Sequence, residues 1–495
     1  MTDTPPAPPP AAPPATPTEA GGEKRNLLVR IATDYWDGLR GLLTCPREIW
    51  IAFAVKVLES LCYFSSVLVL MVFLTQDMGL GDYEAGIVFA IFSASMSFFM
   101  LFVGFIADSM GIKKALIVGL LIALVGRLSI TFTVEPWVVY PGLFFLSVGF
   151  AYMIPLLAAA VKLFSTKKAQ KYAFSWYYVV MNVGSFLAGI SLDGLRKVFT
   201  EPLAFSFLGL DLQIRPLQMI FFVAVLSTFV SMALVVFFIR RRIPDVEKEG
   251  AGEESDGIPG CGEKRKPEPE KEAPPAAPPQ QSAWSVMREV TSEKIFWVFI
   301  AFIFLLVLVK MIFQYNHSLY PLYMERIGLK EWTGTLYAIN PLIVIFLVPV
   351  MTAVTGRMKA FNVIMVGSFI AAGSVFILGL GESILLIVLF QVVLSIGEAI
   401  YSPRVYDYTA SIAPKGKEAS YMAYSKAPMF FAKVGAGPAT GFLLVNLCPE
   451  EGARNTELMW IIVGITTVVS PVTLLLGRRW LDVESRRKRE GYGSR

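Results

Sequence analysis

The sequence predicts an all-α membrane protein in which twelve transmembrane helices form two six-helix bundles. Of the 495 residues, 55% are hydrophobic and only 17% are charged, which is too apolar for a soluble chain of this length. Apolar segments of roughly 20 residues, the length that crosses a bilayer, recur along nearly the whole chain. These segments fall into two groups of six on either side of a polar, Pro-rich stretch at 241–293, which we expect to be a flexible linker.

The remaining organisation follows from local composition. Residues 1–25 are rich in Pro, Ala and Thr and are expected to be disordered. Residues 26–46 mix Leu, Ile, Trp and Arg at helical spacing, which favours an amphipathic helix at the membrane surface; an ordinary linker is the alternative. The N-terminal bundle is expected at 47–240, the C-terminal bundle at 294–478 and a basic tail at 479–495. The twelve spans are expected near 49–74, 84–109, 114–134, 137–163, 172–194, 216–239, 294–321, 332–356, 361–380, 382–404, 419–446 and 457–477.

Lysine and arginine residues concentrate at alternate ends of these spans. They occur at 113–114, 167–171, 240–242, 357–359, 415–417 and in the C-terminal tail. The positive-inside rule therefore predicts that both termini and the linker are cytoplasmic, in a multi-pass protein of the plasma or inner membrane. Arg196 and Lys197 are the main exception. Because the net charge of +5 follows this topology, it predicts no nucleic-acid partner.

No feature of the sequence predicts an enzyme. The four cysteines are widely spaced and form no CxxC motif, so neither a disulfide framework nor a metal site is expected. The chain lacks a nucleotide-binding loop and a nucleophile elbow, and no cofactor is predicted. We expect a monomer embedded in lipid.

The two halves of the chain repeat a short motif. GIKKALIVG at 111–119 is similar to GRMKAFNVI at 356–364, each following the second span of its half. Paired six-helix halves with a substrate site between them near the membrane midplane are typical of transporters. The duplication therefore favours a carrier over a channel or an enzyme.

A glycine-rich signature, GFIADSMGIKK, starts at Gly104. Gly104 allows close helix approach, and Gly111 permits a tight turn. Asp108 can cap a helix and pair with a cation, while Lys113 and Lys114 are expected to face the cytoplasm. The pattern resembles the G-x-x-x-D-x-x-G-x-[RK]-[RK] loop of the major facilitator superfamily. The resemblance implies the major facilitator fold and a gating role for these five residues.

Span 5 carries a narrower motif, FSWYYVVMNVGS at 174–185. Tyr178 and Asn182 are four residues apart, so they share a helix face and can both offer hydrogen bonds. The motif resembles the F-Y-x-x-I-N-x-G-S signature of the proton-coupled oligopeptide transporters. Helix packing through Gly184 and Ser185 is the alternative interpretation.

Three other segments resemble elements of the same transporter family in the same order. Glu59 and Tyr63 fit the end of its E-x-x-E-R-F-x-Y-Y element in span 1; Asn340 starts an N-P-L in span 8; and Glu398 lies in G-E-x-x-x-S-P in span 10. The resemblance implies proton-coupled symport of small peptides by alternating access, with Glu398 meeting the peptide amino group. The substrate-binding residues that we expect are Tyr63, Tyr178, Asn182, Lys310, Asn340 and Glu398.

Two departures from the family pattern bear on the cargo. Ser60 and Ile154 stand where the family has an Arg and a Lys. Another organic solute, such as a drug, nucleoside or organic anion, moved by uniport or antiport, is therefore the alternative. Lys56 replaces the family's first Glu. It lies three residues before Glu59 on the same helix, so it can form an ion pair with Glu59 or bind a substrate carboxylate.

Charges inside spans are costly and usually face a partner, a cavity or a translocation path. Lys310 in span 7 is expected to pair with Glu398 or with an anionic substrate group, with snorkelling as the alternative. Protonation of Glu398 or Glu59 is expected to permit closure of the cavity, with Lys56 completing the proton-coupling set.

Three further charged or titratable positions are given structural interpretations. Arg127 is interpreted as a snorkelling or helix-packing charge near a span end. His317, the one histidine, is interpreted as an interfacial residue near the outer end of span 7. Lys426 and Lys433, seven residues apart, share a helix face and offer a cation on the cytoplasmic side.

Overall fold

The structure, a computed structural model, describes residues 36, 40–110, 112–166, 169–207, 210–239, 292, 294–355, 358–412 and 427–482. Within these residues, twelve helical segments are long and apolar enough to cross a membrane. The predicted all-α architecture and number of spans are therefore confirmed. The expected tail at 1–25, most of the segment at 26–46, the linker at 241–293 apart from residue 292, and the tail after residue 482 lie outside the described residues.

The spans are numbered in chain order. Span 1 is the helix Arg47–Val72 with a π-helical turn at Phe73–Asp77. Span 7 consists of two helices, Lys294–Leu305 and Val307–Arg326, which meet at Leu306. The other spans are Asp82–Met110, Ile112–Thr131, Pro136–Phe164, Gln170–Val198, Gln218–Phe238, Thr333–Thr355, Ala360–Leu378, Ile384–Ile412, Ala427–Leu447 and Thr456–Leu476.

Three short elements were not predicted. Between spans 5 and 6 the chain forms an antiparallel hairpin of strands β1, Leu203–Phe207, and β2, Leu210–Ile214. A 3-10 turn at Lys330–Trp332 leads into span 8, and a short helix at Arg478–Leu481 follows span 12. Each lies at an end of a span rather than within the bundles.

Helix packing repeats between the two halves. In the N-terminal bundle the main contacts join spans 1 and 5, 1 and 6, 2 and 4, 3 and 4, and 3 and 6. In the C-terminal bundle they join spans 7 and 11, 7 and 12, 8 and 10, 9 and 10, and 9 and 12. Every pair in one bundle therefore has a counterpart six spans later. Between the bundles, span 2 packs on span 11, span 5 on span 8, and span 1 on span 7.

Both symmetric seams between the bundles depend on glycine. Span 5 meets span 8 where Gly189 faces Gly334, and span 2 meets span 11 where Gly86 faces Gly437. A Cβ atom at any of these positions overlaps the backbone of the facing helix. Small residues allow transmembrane helices to approach this closely. The two seams therefore require glycine for a steric reason.

The side of the membrane at which span 1 and span 7 begin is called the terminus side. On the opposite side, ionic contacts join the bundles. Glu325 of span 7 accepts hydrogen bonds from Arg196 at 2.5 Å and from Gln76 at 3.2 Å, and Arg326 pairs with Asp82. These partners explain why Arg196 departs from the positive-inside pattern.

A carboxylate caps a helix across the same seam. Asp193 of span 5 accepts hydrogen bonds from the backbone N–H groups of Gly334 at 2.8 Å and Thr335 at 2.6 Å. These groups belong to the first turn of span 8, where N–H groups have no intrahelical partner and the helix dipole favours an anion. The bundles are thus held together on the opposite side.

Candidate functional site

A carboxylate in span 10 takes part in the contact between the bundles. The Tyr178 hydroxyl of span 5 donates to Glu398 Oε1 at 3.1 Å, and Asn340 Nδ2 of span 8 donates to Oε2 at 3.1 Å. Asn340 Nδ2 also lies 3.1 Å from Ser395 Oγ, which orients the amide. Lys310 is close enough to interact electrostatically with Glu398. Three of the predicted substrate residues, Tyr178, Asn340 and Glu398, therefore meet at one place.

The motif of span 5 contains residues that face the other bundle and residues that pack against span 1. Asn182 is buried, and its Nδ2 donates to the backbone carbonyl of Tyr178 at 2.9 Å, one turn earlier. Gly184 packs against span 1, where an added Cβ would lie 2.6 Å from the Val57 carbonyl oxygen. Gly184 thus serves helix packing, the alternative interpretation, on one face of the helix, whereas Tyr178 faces the other bundle.

A cavity lies beside span 1 within the N-terminal bundle. Lys56, Glu59 and Tyr63 line it together with Ile154 of span 4. The Lys56 ammonium is 4.8 Å from the centroid of the Tyr177 ring, a distance that suits a cation–π contact. The three polar residues expected at the site in span 1 therefore share one cavity.

Of the two roles left open for Lys56, the ion pair with Glu59 does not form. Glu59 instead pairs with Arg127 of span 3, with Nη2–Oε2 at 3.0 Å and Nη1–Oε1 at 3.3 Å. Arg127 also donates to Thr228 of span 6 and is fully buried, so it does not snorkel. Sequence spacing identified Lys56 because it is a neighbour on the same helix, but a fork-shaped guanidinium matches a carboxylate better than an ammonium does.

The interpretation of His317 as an interfacial residue is also wrong. Its side chain is only 8% exposed, and Nε2 lies 3.1 Å from the Tyr337 hydroxyl of span 8. The same hydroxyl lies 3.0 Å from Ser185 Oγ of span 5, and the ring of Phe64 is 5.9 Å from the imidazole. His317 therefore belongs to a polar chain that crosses between the bundles. Tyr337 was not predicted and Ser185 was considered only for helix packing, because neither carries a charge.

Lys433 of span 11 lies at the same interface. It is 6% exposed, its Nζ is 4.0 Å from Met96 Sδ and 6.0 Å from the centroid of the Tyr63 ring. The expected cation is therefore at the centre of the protein rather than near the terminus-side surface. Its expected companion Lys426 lies outside the described residues.

Several hydrogen bonds that join described residues across the bundles lie on the opposite side, where Glu325, Arg326 and Asp193 each bind the other bundle. Among the described residues, the extensive helix contacts between the bundles are those of spans 1, 2, 5, 7, 8 and 11. This distribution corresponds to a conformation closed on the opposite side.

Comparison with known proteins identifies the wider family. The family model named Major Facilitator Superfamily matches residues 5–189 and 60–440, which together cover most of the sequence. The chain belongs to the Major Facilitator Superfamily. The repetition of the same helix pairs in both six-span halves is consistent with this family. The fold expected from the signature at Gly104 is confirmed.

Among relatives in this superfamily, dipeptide and tripeptide permease A of Proteus mirabilis (strain HI4320) is 27% identical over 167 residues, 32% of this chain and 34% of that protein. The protein of the same name from Serratia proteamaculans (strain 568) is 25% identical over 165 residues, 32% of this chain and 33% of that protein. The matched stretch thus spans about a third of the length of these relatives.

Solved structures share the fold over most of the chain. One is a POT family transporter in complex with a thioalcohol-conjugated peptide, with a TM-score of 0.66 and 15% identity over 88% of this chain and 97% of that one. Another, from work on substrate recognition in proton-dependent oligopeptide transporters, has a TM-score of 0.68 and 14% identity over 89% and 99%. At these identities the likeness establishes the fold.

The superfamily's loop signature is partly described. Gly104 and Asp108 lie in the terminus-side part of the span 2 helix, and Gly111 lies outside the described residues. Lys113 Nζ donates to the carbonyl oxygens of Val236 at 2.8 Å and Ile239 at 2.5 Å. The loop is therefore attached to the end of span 6 in the same bundle, and a gating role for these residues and Lys114 stays a prediction.

Proposed function

We propose that this protein is a secondary active transporter that moves small peptides or peptide-like solutes together with protons by alternating access. The observation that carries the proposal is the shared carboxylate. Glu398 of one bundle is bonded by Tyr178 of the other and by Asn340. A group held from both bundles can couple its own charge to their separation.

The coupling works through the hydrogen bonds of Glu398. As a carboxylate it accepts from Tyr178 and Asn340; once protonated it is a weaker acceptor, and the contact between the bundles weakens. A peptide amino group is a good partner for the same carboxylate, so proton and substrate both change this contact. Tyr63, Asn182 and Lys310 complete the proposed binding surface.

Glu59 and Lys56 have different proposed parts. Protonating Glu59 leaves the buried Arg127 without its counter-charge, which is costly, whereas protonating Glu398 breaks no bidentate ion pair. Glu398 is therefore the better candidate for the coupled proton. Glu59 then has a structural role in the wall of the cavity through its ion pair with Arg127, and Lys56 supplies a cation that faces the cavity.

The proposed orientation places the terminus side in the cytoplasm. Lysines such as Lys113 and Lys114 lie on that side, as the positive-inside rule requires, and the arginine exceptions on the other side have acidic partners. In this conformation the protein is then closed on the side away from the cytoplasm. We place it as a monomer in the plasma or inner membrane.

Uptake of radiolabelled dialanine into proteoliposomes tests the proposal. We expect saturable uptake that an inward proton gradient accelerates and a protonophore reduces to the rate without a gradient. An uptake rate that is the same with and without the proton gradient contradicts proton coupling. Absence of any peptide uptake, together with ligand-induced thermal stabilisation by a drug, nucleoside or organic anion, favours the alternative cargo that Ser60 and Ile154 suggest.

A further inference from the structure

The charges around the cavity and Glu398 do not balance. In the described part of the chain, four cations and two carboxylates lie there: Lys56, Arg127, Lys310, Lys433, Glu59 and Glu398. Glu59 is matched by Arg127, and Glu398 interacts with Lys310. The two remaining cations, Lys56 and Lys433, give the centre a net charge of +2.

Lys433 has no acidic partner within 4 Å among the described residues. Its neighbours are the thioether of Met96 and the ring of Tyr63. Spans 2 and 7 pack on span 11, but Asp82, Glu84 and Glu325 lie at the opposite-side ends of those helices, and Asp108 lies near the terminus-side end of span 2. A buried ammonium in these surroundings is unfavourable unless an anion is supplied from outside the protein.

Lys56 lies in a comparable position on the other bundle. It is 6% exposed, faces the cavity and contacts the ring of Tyr177, and Glu59, whose charge it also feels, is already paired with Arg127. Lys56 and Tyr63 are seven residues apart, which is about 10 Å along the helix. Because Lys433 lies beside Tyr63, the two ammonium groups are found near the two ends of the segment of span 1 that runs from Lys56 to Tyr63.

We propose that the cargo carries a net negative charge, as an acidic peptide does, and that Lys433 and Lys56 bind its carboxylates. This inference rests on the proposed transport function and specifies its substrate class. The two lysines come from different bundles, so an anion bound by both would contact span 1 and span 11 at once. A peptide with an acidic side chain supplies the second carboxylate that the +2 centre accommodates.

The test compares isosteric peptides of different charge. Uptake of alanyl-glutamate, alanyl-glutamine and alanyl-lysine is measured in proteoliposomes at fixed ionic strength, for wild type, Lys433→Gln, Lys433→Arg and Lys162→Gln. Lys162 is an exposed lysine of span 4 and serves as the matched control. We expect wild type to prefer alanyl-glutamate over alanyl-glutamine by about tenfold, since each carboxylate meets a desolvated ammonium. Lys433→Gln should reduce that ratio several-fold, Lys433→Arg should keep most of it, and Lys162→Gln should leave it unchanged.

A binding measurement separates this inference from the transport proposal. Thermal stabilisation by N-acetylglutamate and by N-acetylglutamine is compared in the same variants. One outcome is that no peptide is transported, yet N-acetylglutamate stabilises wild type, N-acetylglutamine does not, and neither stabilises Lys433→Gln. The inference of an anionic cargo then stands and the proposal of peptide transport fails. If peptides are transported without preference for negative charge, the anionic class is overturned and the transport proposal stands. The inference of an anionic cargo is also overturned if wild type responds equally to the glutamate and glutamine compounds in both the uptake and the stabilisation assays.

Discussion

Arg127 and Glu59 form two parallel hydrogen bonds inside the N-terminal bundle, with Nη2–Oε2 at 3.0 Å and Nη1–Oε1 at 3.3 Å. Arg127 comes from span 3, Glu59 from span 1, and Thr228, the third partner, from span 6. The arrangement joins three helices at one buried point. It also leaves Lys56 facing the cavity without an ion pair to Glu59.

The Arg127→Ala substitution is expected to destabilise the protein by about 3–5 kcal/mol, because it leaves Glu59 buried without a counter-charge. Thermal unfolding of the purified protein measures the change. The double variant Arg127→Ala with Glu59→Gln should recover part of the loss. Arg47→Ala is the control, since the Arg47 side chain is 57% exposed. An unchanged unfolding temperature for Arg127→Ala contradicts the assigned pair.

The Glu398→Gln substitution is expected to uncouple transport from protons. Glutamine keeps a carbonyl oxygen that accepts from Tyr178 but carries no titratable charge. Substrate exchange without a gradient should therefore persist, while accumulation driven by a proton gradient is lost. The two assays are run on the same proteoliposomes. Glu331→Gln, at an exposed position, should change neither, and gradient-driven accumulation by Glu398→Gln would exclude Glu398 as the coupling group.

Alanine at Gly334 or Gly437 is expected to prevent full closure on the opposite side. The added Cβ overlaps the backbone of Gly189 or Gly86, so the spans at that seam must separate. Distances between spin labels on the two bundles should lengthen. Gly194→Ala is the matched control because nothing lies within 4 Å of an added Cβ there. Identical distances in all three variants argue against glycine-dependent seams.

The Glu325→Gln substitution is expected to shift the population toward opening on the opposite side. The change removes the charge that holds Arg196 at 2.5 Å, in a setting where both side chains are largely buried. Alkylation of a cysteine introduced at Thr75, beside this contact, should become several-fold faster. Glu201→Gln, at an exposed site, should leave the rate unchanged. An unaltered rate for Glu325→Gln indicates that Glu325 is not needed to hold this side closed.

The fold was predictable because the membrane imposes strong local rules. A helix that crosses lipid needs a long apolar run, so twelve spans and their approximate ends can be read from composition. The pairing of helices follows from the duplicated halves. The hairpin between spans 5 and 6 was missed because Leu203–Phe207 and Leu210–Ile214 are short and carry no turn signal strong enough to distinguish them from a loop.

By itself the sequence determined the spans, the two bundles, the cluster of Tyr178, Asn340 and Glu398, and the presence of costly charges inside the membrane. Only the tertiary structure decided the partners of those charges. It joined Glu59 to Arg127, 68 residues away, and moved His317 from the surface to the seam. Helical periodicity reports which residues share a face, whereas charge pairing depends on side-chain reach between helices, which spacing along one helix does not encode.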